Sequence, residues 1–242
     1  VEEREECQNF YLIRIDVVYT MTTISIIIPT LNEKYGIGLV LDDLPIEELE
    51  GKGYDVEVFV VDGGSSDGTQ GVVVEKGYEL IVEEGGKASA VRRGLKESSG
   101  RYAFTIDGDG SYPADKIVDM VSMLEDGNDM VMGSRFMGVL EVRAMTKVNK
   151  VGNRFLTWFG NKLYGTSVTD ICTGLRGIDR ESLDGVELPG EGFEIEAGIH
   201  TVFCESDVEE IPIYYEKRAG SSKLNVWDGL HIAKRLLIER YR

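Results

Sequence analysis

Two carboxylates one residue apart, in Asp107-Gly108-Asp109, directly follow the apolar run Tyr102-Ala103-Phe104-Thr105-Ile106. A buried strand ending this way presents hard oxygen ligands at the mouth of a parallel sheet, where a divalent cation bridging two phosphates can sit. The same triplet is also ordinary turn chemistry, so its meaning depends on its company. Two other polar segments share its setting. Pro29-Thr30-Leu31-Asn32-Glu33 follows the run Ile24 to Ile28, and Asp62-Gly63-Gly64-Ser65-Ser66-Asp67-Gly68-Thr69 follows Val56 to Val61. Ligands of open α/β sheets bind at the carboxyl ends of strands, and a carboxylate there, such as Asp62, can accept hydrogen bonds from a base edge or a ribose hydroxyl. Turns and helix caps draw on the same residue types.

The elements that must position these groups alternate. Ile24 to Ile28 and Val56 to Val61 are short, β-branched and continuous, as strands buried on both faces are. Tyr102 to Ile106 and Asp129 to Gly133 are further strands. Helical spacing marks Lys87 to Ser98, with Ala88, Val91 and Leu95 on one side and Gly100 as the stop, and Asp115 to Glu125. Beyond Gly133 come a polar and aromatic stretch, a helix from about Lys147 to Tyr164, a Gly-rich loop and a strand at Val208 to Tyr215. The expectation is an α/β fold with a mostly parallel central sheet flanked by helices.

Composition narrows the function. With 242 residues and 42% hydrophobic content, one sizeable core is the default. A formal net charge of -17 argues against general nucleic-acid binding. The three cysteines, Cys7, Cys172 and Cys204, have neither disulfide nor zinc spacing, which fits a reducing cytosol. No apolar run approaches the roughly 18 residues needed to span a bilayer. The charge is unevenly spread: Gly127 to Arg180 carries a net +4 and Lys223 to Arg242 a net +3. Two basic islands in an acidic chain suggest anion sites, although solvated helix faces look alike.

Together the three polar segments resemble the family 2 glycosyltransferases of the GT-A fold, in order and spacing. A closer likeness, to the dolichyl-phosphate mannose synthases and their polyprenyl-phosphate glucosyl relatives, rests on later motifs. These are Gly133-Ser134-Arg135-Phe136, Gly152-Asn153-Arg154, Asp170 with Thr173-Gly174-Leu175-Arg176, Phe193-Glu194-Ile195-Glu196, Glu210-Ile211-Pro212-Ile213 and Arg218-Ala219-Gly220-Ser221-Ser222-Lys223. The resemblance covers roughly Thr23 to Asp228. Departures are Gly108 where the branch usually has Ala, Lys87 after an altered Gly-rich segment, and Thr173-Gly174-Leu175-Arg176 in place of Ser-Gly-Phe-Arg.

The resemblance implies an inverting hexosyltransferase that moves a sugar from a nucleotide diphosphate-sugar, GDP-mannose or UDP-glucose, to a polyprenyl (dolichyl) phosphate. Mg²⁺ or Mn²⁺ would be held by Asp107 and Asp109 and would neutralise the leaving diphosphate. Pro29, Thr30, Asn32, Glu33, Asp62, Asp67, Lys87, Gly108, Arg218 and Lys223 join the carboxylate pair as donor-binding candidates. Arg135 leads for the acceptor phosphate, with Lys147, Lys150, Arg154 and Thr173. An ionised phosphate needs positioning more than a strong base, and Asp170, Glu194 and Glu196 stay unassigned as base, with Asp170 counted among the catalytic candidates. A relative acting on a glycan, a GT-A nucleotidyltransferase and a silent binding protein are the competing readings.

The ends carry separate expectations. Residues 1–20 read as an extension before a natural start at Met21, or as an added edge strand over Tyr11 to Tyr19. The catalytic domain spans residues 21–226. Residues 227–242 form an amphipathic helix with Leu230, Ala233, Leu237 and Tyr241 on one stripe and Lys234, Arg235, Arg240 and Arg242 alongside. Such a helix fits a lipid headgroup layer or its own domain equally well. The expected location is cytoplasmic, peripheral at the cytoplasmic face of a membrane, with no transmembrane segment.

Overall fold

The computed structural model describes residues 21–220 and 226–242; the extension before Met21 and Lys223 lie outside them. The isoleucine run becomes β1 (Thr22–Thr30), and Ile24, Ile26, Ile27 and Ile28 are all buried because the strand is covered on both faces. Alternate side chains go to opposite layers, as the two-residue period of a strand requires. Ile24, Ile26 and Ile28 pack with Ile37 of α1 (Lys34–Asp43) and Met120 of α5 (Lys116–Glu125), whereas Ile27 packs with Ala90 of α4 (Gly86–Glu97).

Beside β1 run β2 (Tyr54–Asp62) and β4 (Tyr102–Thr105), both parallel to it, and β3 (Glu79–Val82) pairs in parallel with β2. The register sets Thr30 opposite Asp62 and Ile27 opposite Thr105, which brings all three predicted polar segments to one sheet edge. Among the described residues seven strands form one sheet, in the order β3-β2-β1-β4-β6-β5-β7, where β5 is Met130–Leu140, β6 is Arg176–Asp179 and β7 is Val208–Tyr215. The short helices α2 (Ile46–Gly51) and α3 (Thr69–Glu75) and the strand β3 fall in segments that the sequence reading left unassigned.

Two strands depart from expectation. β5 (Met130–Leu140) runs well past Gly133 and carries Arg135, and its parallel pairing with β7 (Val208–Tyr215) shifts register between Ser134 and Val139. Such an irregularity re-aims side chains next to a site. Part of the expected Gly-rich loop is instead β6 (Arg176–Asp179), antiparallel to both β4 and β5. The sheet is therefore mostly, not wholly, parallel.

The helix expected at Lys147 to Tyr164 is α6 (Lys147–Tyr164), capped by the Thr146 side chain, which accepts from Asn149 N. It packs with α8 (Val226–Arg240) and α7 (Ile195–Val202) around Leu156, Ile171, Ala197, Ile232 and Leu236. This corrects the stripe assigned to the C-terminal helix. Ile232 and Leu236 face inward, while Leu230, Leu237 and Tyr241 are exposed. Adjacent apolar residues in α8 give two stripes of equal period one step apart, and periodicity alone cannot choose between them. Among the described residues no helix is long and apolar enough to cross a membrane.

Candidate active site

Asp107 and Asp109 stand just beyond β4, on the wall of a cavity of about 360 Å³. Each carboxylate holds a cation. Asp107 Oδ1 lies 2.6 Å from Lys87 Nζ, and Lys87 also pairs with Glu196. Asp109 Oδ2 lies 2.5 Å from Arg218 Nη2, which reaches Glu33 Oε1 at 3.3 Å. Lys87 comes from the first turn of α4 and Glu196 from the first turn of α7, so two helix starts and two loops converge here. Burial opposes the charge on Lys87, but Asp107 and Glu196 outweigh it and hold the ammonium above its ordinary range. Burial likewise pushes the Asp107 carboxyl up, and Lys87 brings it net below the usual range.

Backbone contacts fix this geometry. Ala219 N donates to Asp109 O at 3.0 Å and Glu216 N to Ser111 O at 2.9 Å, which docks the Arg218 segment on the carboxylate loop. Gly174 lies against Asp107, and a Cβ there would come within 2.4 Å of Asp107 Oδ2. Gly108 is equally suited to its place, since a Cβ would sit 3.1 Å from Thr30 Oγ1. Thr30 lines the cavity, and its Oγ1 is buried without a hydrogen-bond partner among the described residues.

Arg135 enters the same cavity from β5. Its Nε and Nη2 donate to the two oxygens of Asp170 at 2.6 and 2.7 Å, and its backbone N adds a third bond at 3.1 Å. With both oxygens committed and the side chain fully buried, Asp170 positions Arg135. The guanidinium lies 5.4 Å from the Tyr215 ring centroid, and Tyr215 meets Tyr112 edge-on at 4.9 Å. Tyr112 Oη in turn accepts from Gly174 N at 2.7 Å. Neither tyrosine, nor Asn149 on the cavity side of α6, is marked by any motif in the sequence, whereas Asn153 beside it belongs to Gly152-Asn153-Arg154.

Other candidates are placed elsewhere. Asp62 is fully buried, with Oδ1 accepting from Gly64 N, Ser65 N and Gln70 Nε2 and Oδ2 from Ser65 Oγ, so it organises its own loop. Asn32 and Asp67 tie the first two loops together, through Ser66 N to Asn32 Oδ1 and Lys34 N to Asp67 Oδ2. Pro29, Thr30 and Glu33 do line the cavity. Thr173 is buried and donates to Gly133 O at 2.6 Å, a brace between β5 and the Gly174 turn. Lys147, Lys150 and Arg154 are not among the groups lining the cavity, and Arg154 stacks over Phe136. Glu194 pairs with Arg235 of α8, leaving Glu196 as the cavity carboxylate of that pair.

The donor set suits a divalent cation. Lys87 and Arg218 already sit where positive charge is favoured. Among the described residues lining the cavity, the carboxylates of Glu33, Asp107, Asp109 and Glu196 stand beside the cations of Lys87, Arg135 and Arg218. No cluster of three or more acidic, His or Cys groups capable of holding a metal occurs among the described residues. A cation on Asp107 and Asp109 would therefore complete its shell with phosphate and water oxygens, as Mg²⁺ and Mn²⁺ commonly do.

Known proteins resemble this chain in sequence and in fold. The model of glycosyl transferase family 2 matches residues 25–186. Glycosyltransferase AglJ of Haloferax volcanii is 32% identical over 92% of this chain and 72% of its own length. A dolichyl-phosphate hexose transferase of the same organism is 31% identical over 87% of this chain and 90% of its own. The fold is that of glucosyl-3-phosphoglycerate synthase from Mycobacterium tuberculosis, crystallised with Mn²⁺, UDP-glucose and phosphoglyceric acid, at a TM-score of 0.67 with 22% identity, covering 90% of this chain and 78% of that one. Motif order, sheet-edge geometry and sequence similarity over nearly the whole chain agree: this is a hexosyltransferase of GT-A fold belonging to glycosyl transferase family 2.

Proposed function

We propose that the protein transfers a hexose, with inversion, from a nucleotide diphosphate-sugar (GDP-mannose or UDP-glucose) to a polyprenyl phosphate such as dolichyl phosphate. The observation that carries this reading is the shared cavity. A buried, rigidly held guanidinium, Arg135, faces the same space as the Asp107 and Asp109 pair with its attendant cations. An acceptor bearing a phosphate and a donor bearing a diphosphate both require such cations, and a neutral glycan acceptor does not.

On this reading the acceptor phosphate oxygen attacks the anomeric carbon while the bond from that carbon to the nucleotide diphosphate breaks on the opposite side. Arg135 holds the phosphate through the N–H groups that Asp170 leaves uncommitted. The phosphate is already ionised near neutral pH, so no side chain has to remove a proton, and the engagement of Asp170 costs the reaction nothing. Asp107 and Asp109 would hold Mg²⁺ or Mn²⁺, which would supply positive charge to neutralise the departing diphosphate. Lys87 and Arg218, on either side, are placed to take diphosphate oxygens.

The test is transfer of label from GDP-mannose and from UDP-glucose into the organic phase, with Mn²⁺, with and without dolichyl phosphate, beside Asp109→Ala. Carrier-dependent label that Asp109→Ala reduces by about 10²-fold or more is expected. Nucleotide release without lipid label would move the acceptor to another class, and folded protein inactive on both donors would refute the reading.

A further inference from the structure

The helix α6 has three sides, and only two are used by the fold and the cavity. Leu156, Thr157 and Gly160 are buried in the core, and Asn149, Gly152 and Asn153 wall the cavity. The third side, returning every three to four residues, consists of Val151, Phe155 and Trp158 with Val148 at its edge, and these are 69%, 54%, 59% and 66% exposed. Phe155 and Trp158 lie 5.8 Å apart as one aromatic patch. Lys147, Arg154 and Lys162 stand among them, also exposed. Not one Asp or Glu occurs in this helix of 18 residues, in a chain of net charge -17.

We infer that this outward face of α6 docks the protein on an anionic bilayer, an inference that rests on the lipid-phosphate reading above. A contiguous apolar patch rimmed by charge marks an interaction surface. Its chemistry selects lipid: basic residues meet anionic headgroups, and Trp158 and Phe155 suit the boundary between headgroups and acyl chains. The placement follows the same logic. Because the neighbouring side of the same helix walls the cavity that holds Arg135, a phosphate in that cavity and its chain in the bilayer need only pass the edge of α6 at Val148. The docking element is thus α6, an internal helix.

The experiment is co-sedimentation of the full chain with phosphatidylcholine vesicles, with and without phosphatidylglycerol, for the wild type, Val151→Glu/Trp158→Glu and Lys162→Gln. The melting temperature and transfer to a short, water-soluble prenyl phosphate are measured alongside. Wild type should bind phosphatidylglycerol vesicles in a salt-sensitive way; Lys162→Gln should weaken binding, and the double variant should weaken it by about tenfold or more. Folding and transfer to the soluble acceptor should be unchanged. Vesicle binding by the double variant equal to wild type overturns the inference, as does a wild type that ignores vesicles or whose dimer the double variant splits, which would make the face a contact between copies. Loss of transfer to the soluble acceptor in all forms would instead count against the proposed reaction.

Discussion

Gly174→Ala is the sharpest test of how the carboxylate pair is held. The new Cβ would lie 2.4 Å from Asp107 Oδ2 and 2.6 Å from Cγ, where ordinary contact begins at 3.4 Å. Gly174 cannot retreat freely, because its N donates to Tyr112 Oη at 2.7 Å and its carbonyl accepts from Thr105 Oγ1 at 3.5 Å. The Asp107 side chain must give way by about 1 Å, and a displacement of that size in a reacting constellation costs about 10²-fold in kcat/KM. Overpacking adds about 1–3 kcal/mol of destabilisation, a fall of about 2–10 °C in melting temperature. Mn²⁺ affinity, followed by electron paramagnetic resonance, should fall at least about tenfold. Gly71→Ala is the control, since its Cβ meets nothing within 4 Å in an exposed stretch of α3, and it should gain about 0.5–1 kcal/mol with activity intact. A folded Gly174→Ala with wild-type kcat/KM and Mn²⁺ affinity would refute the placement of Asp107 argued from this contact.

Two further outcomes follow from the buried groups. Asp170→Ala leaves the Arg135 charge without its partner, which should destabilise by about 3–5 kcal/mol and raise KM for the lipid acceptor more than it lowers kcat; unchanged denaturation midpoints would contradict the buried pair. His200 is buried, its pKa lowered to about 4 by desolvation and by Arg176, against an ordinary 6.5. The unfolded chain therefore binds a proton between these values that the folded chain does not, so stability falls as pH drops from 6.5 towards 4, by up to about 3 kcal/mol. In His200→Gln this part of the slope should vanish, and a melting profile that parallels wild type across that window would show that His200 is not its source.

The parts of the site legible in the sequence are those made by short segments following strong strands. Ile24 to Ile28 and Val56 to Val61 have no polar face, so both the strands and the edge bearing Thr30, Glu33 and Asp107 could be read directly. β6 could not, because Gly177 and Asp179 are poor strand formers in a strand of only four residues. Its reason is tertiary: a Cβ at Gly177 would lie 2.4 Å from Phe104 Cε1, so the strand pairs only with glycine there. The triad of Lys87, Asp107 and Glu196 joins residues far apart in the chain, and no local pattern predicts which carboxylate meets which cation. In α6 the lysine spacing was visible, but the side that faces the cavity is set by packing of Leu156 and Gly160, which leaves the lysines outside.

The three cavity cations are not equivalent, and the difference follows from their partners. Lys87 and Arg218 each bridge two carboxylates, and in each bridge one carboxylate belongs to the metal pair. An anionic diphosphate competes poorly for either cation while Asp107 and Asp109 hold them, because leaving would strand a buried carboxylate without a partner. On the proposed reading, a divalent cation on that pair would remove the competition and free both side chains for the diphosphate. Arg135 is bound to a single carboxylate through two of its nitrogens, so its remaining donors face the cavity whether or not a metal is present. On that reading, donor binding on this side of the cavity would be conditional on the metal, whereas the acceptor-phosphate side would be formed without it. Nucleotide affinity should rise steeply with Mn²⁺ while prenyl-phosphate affinity should not, an asymmetry set by which carboxylate each cation was given as a partner.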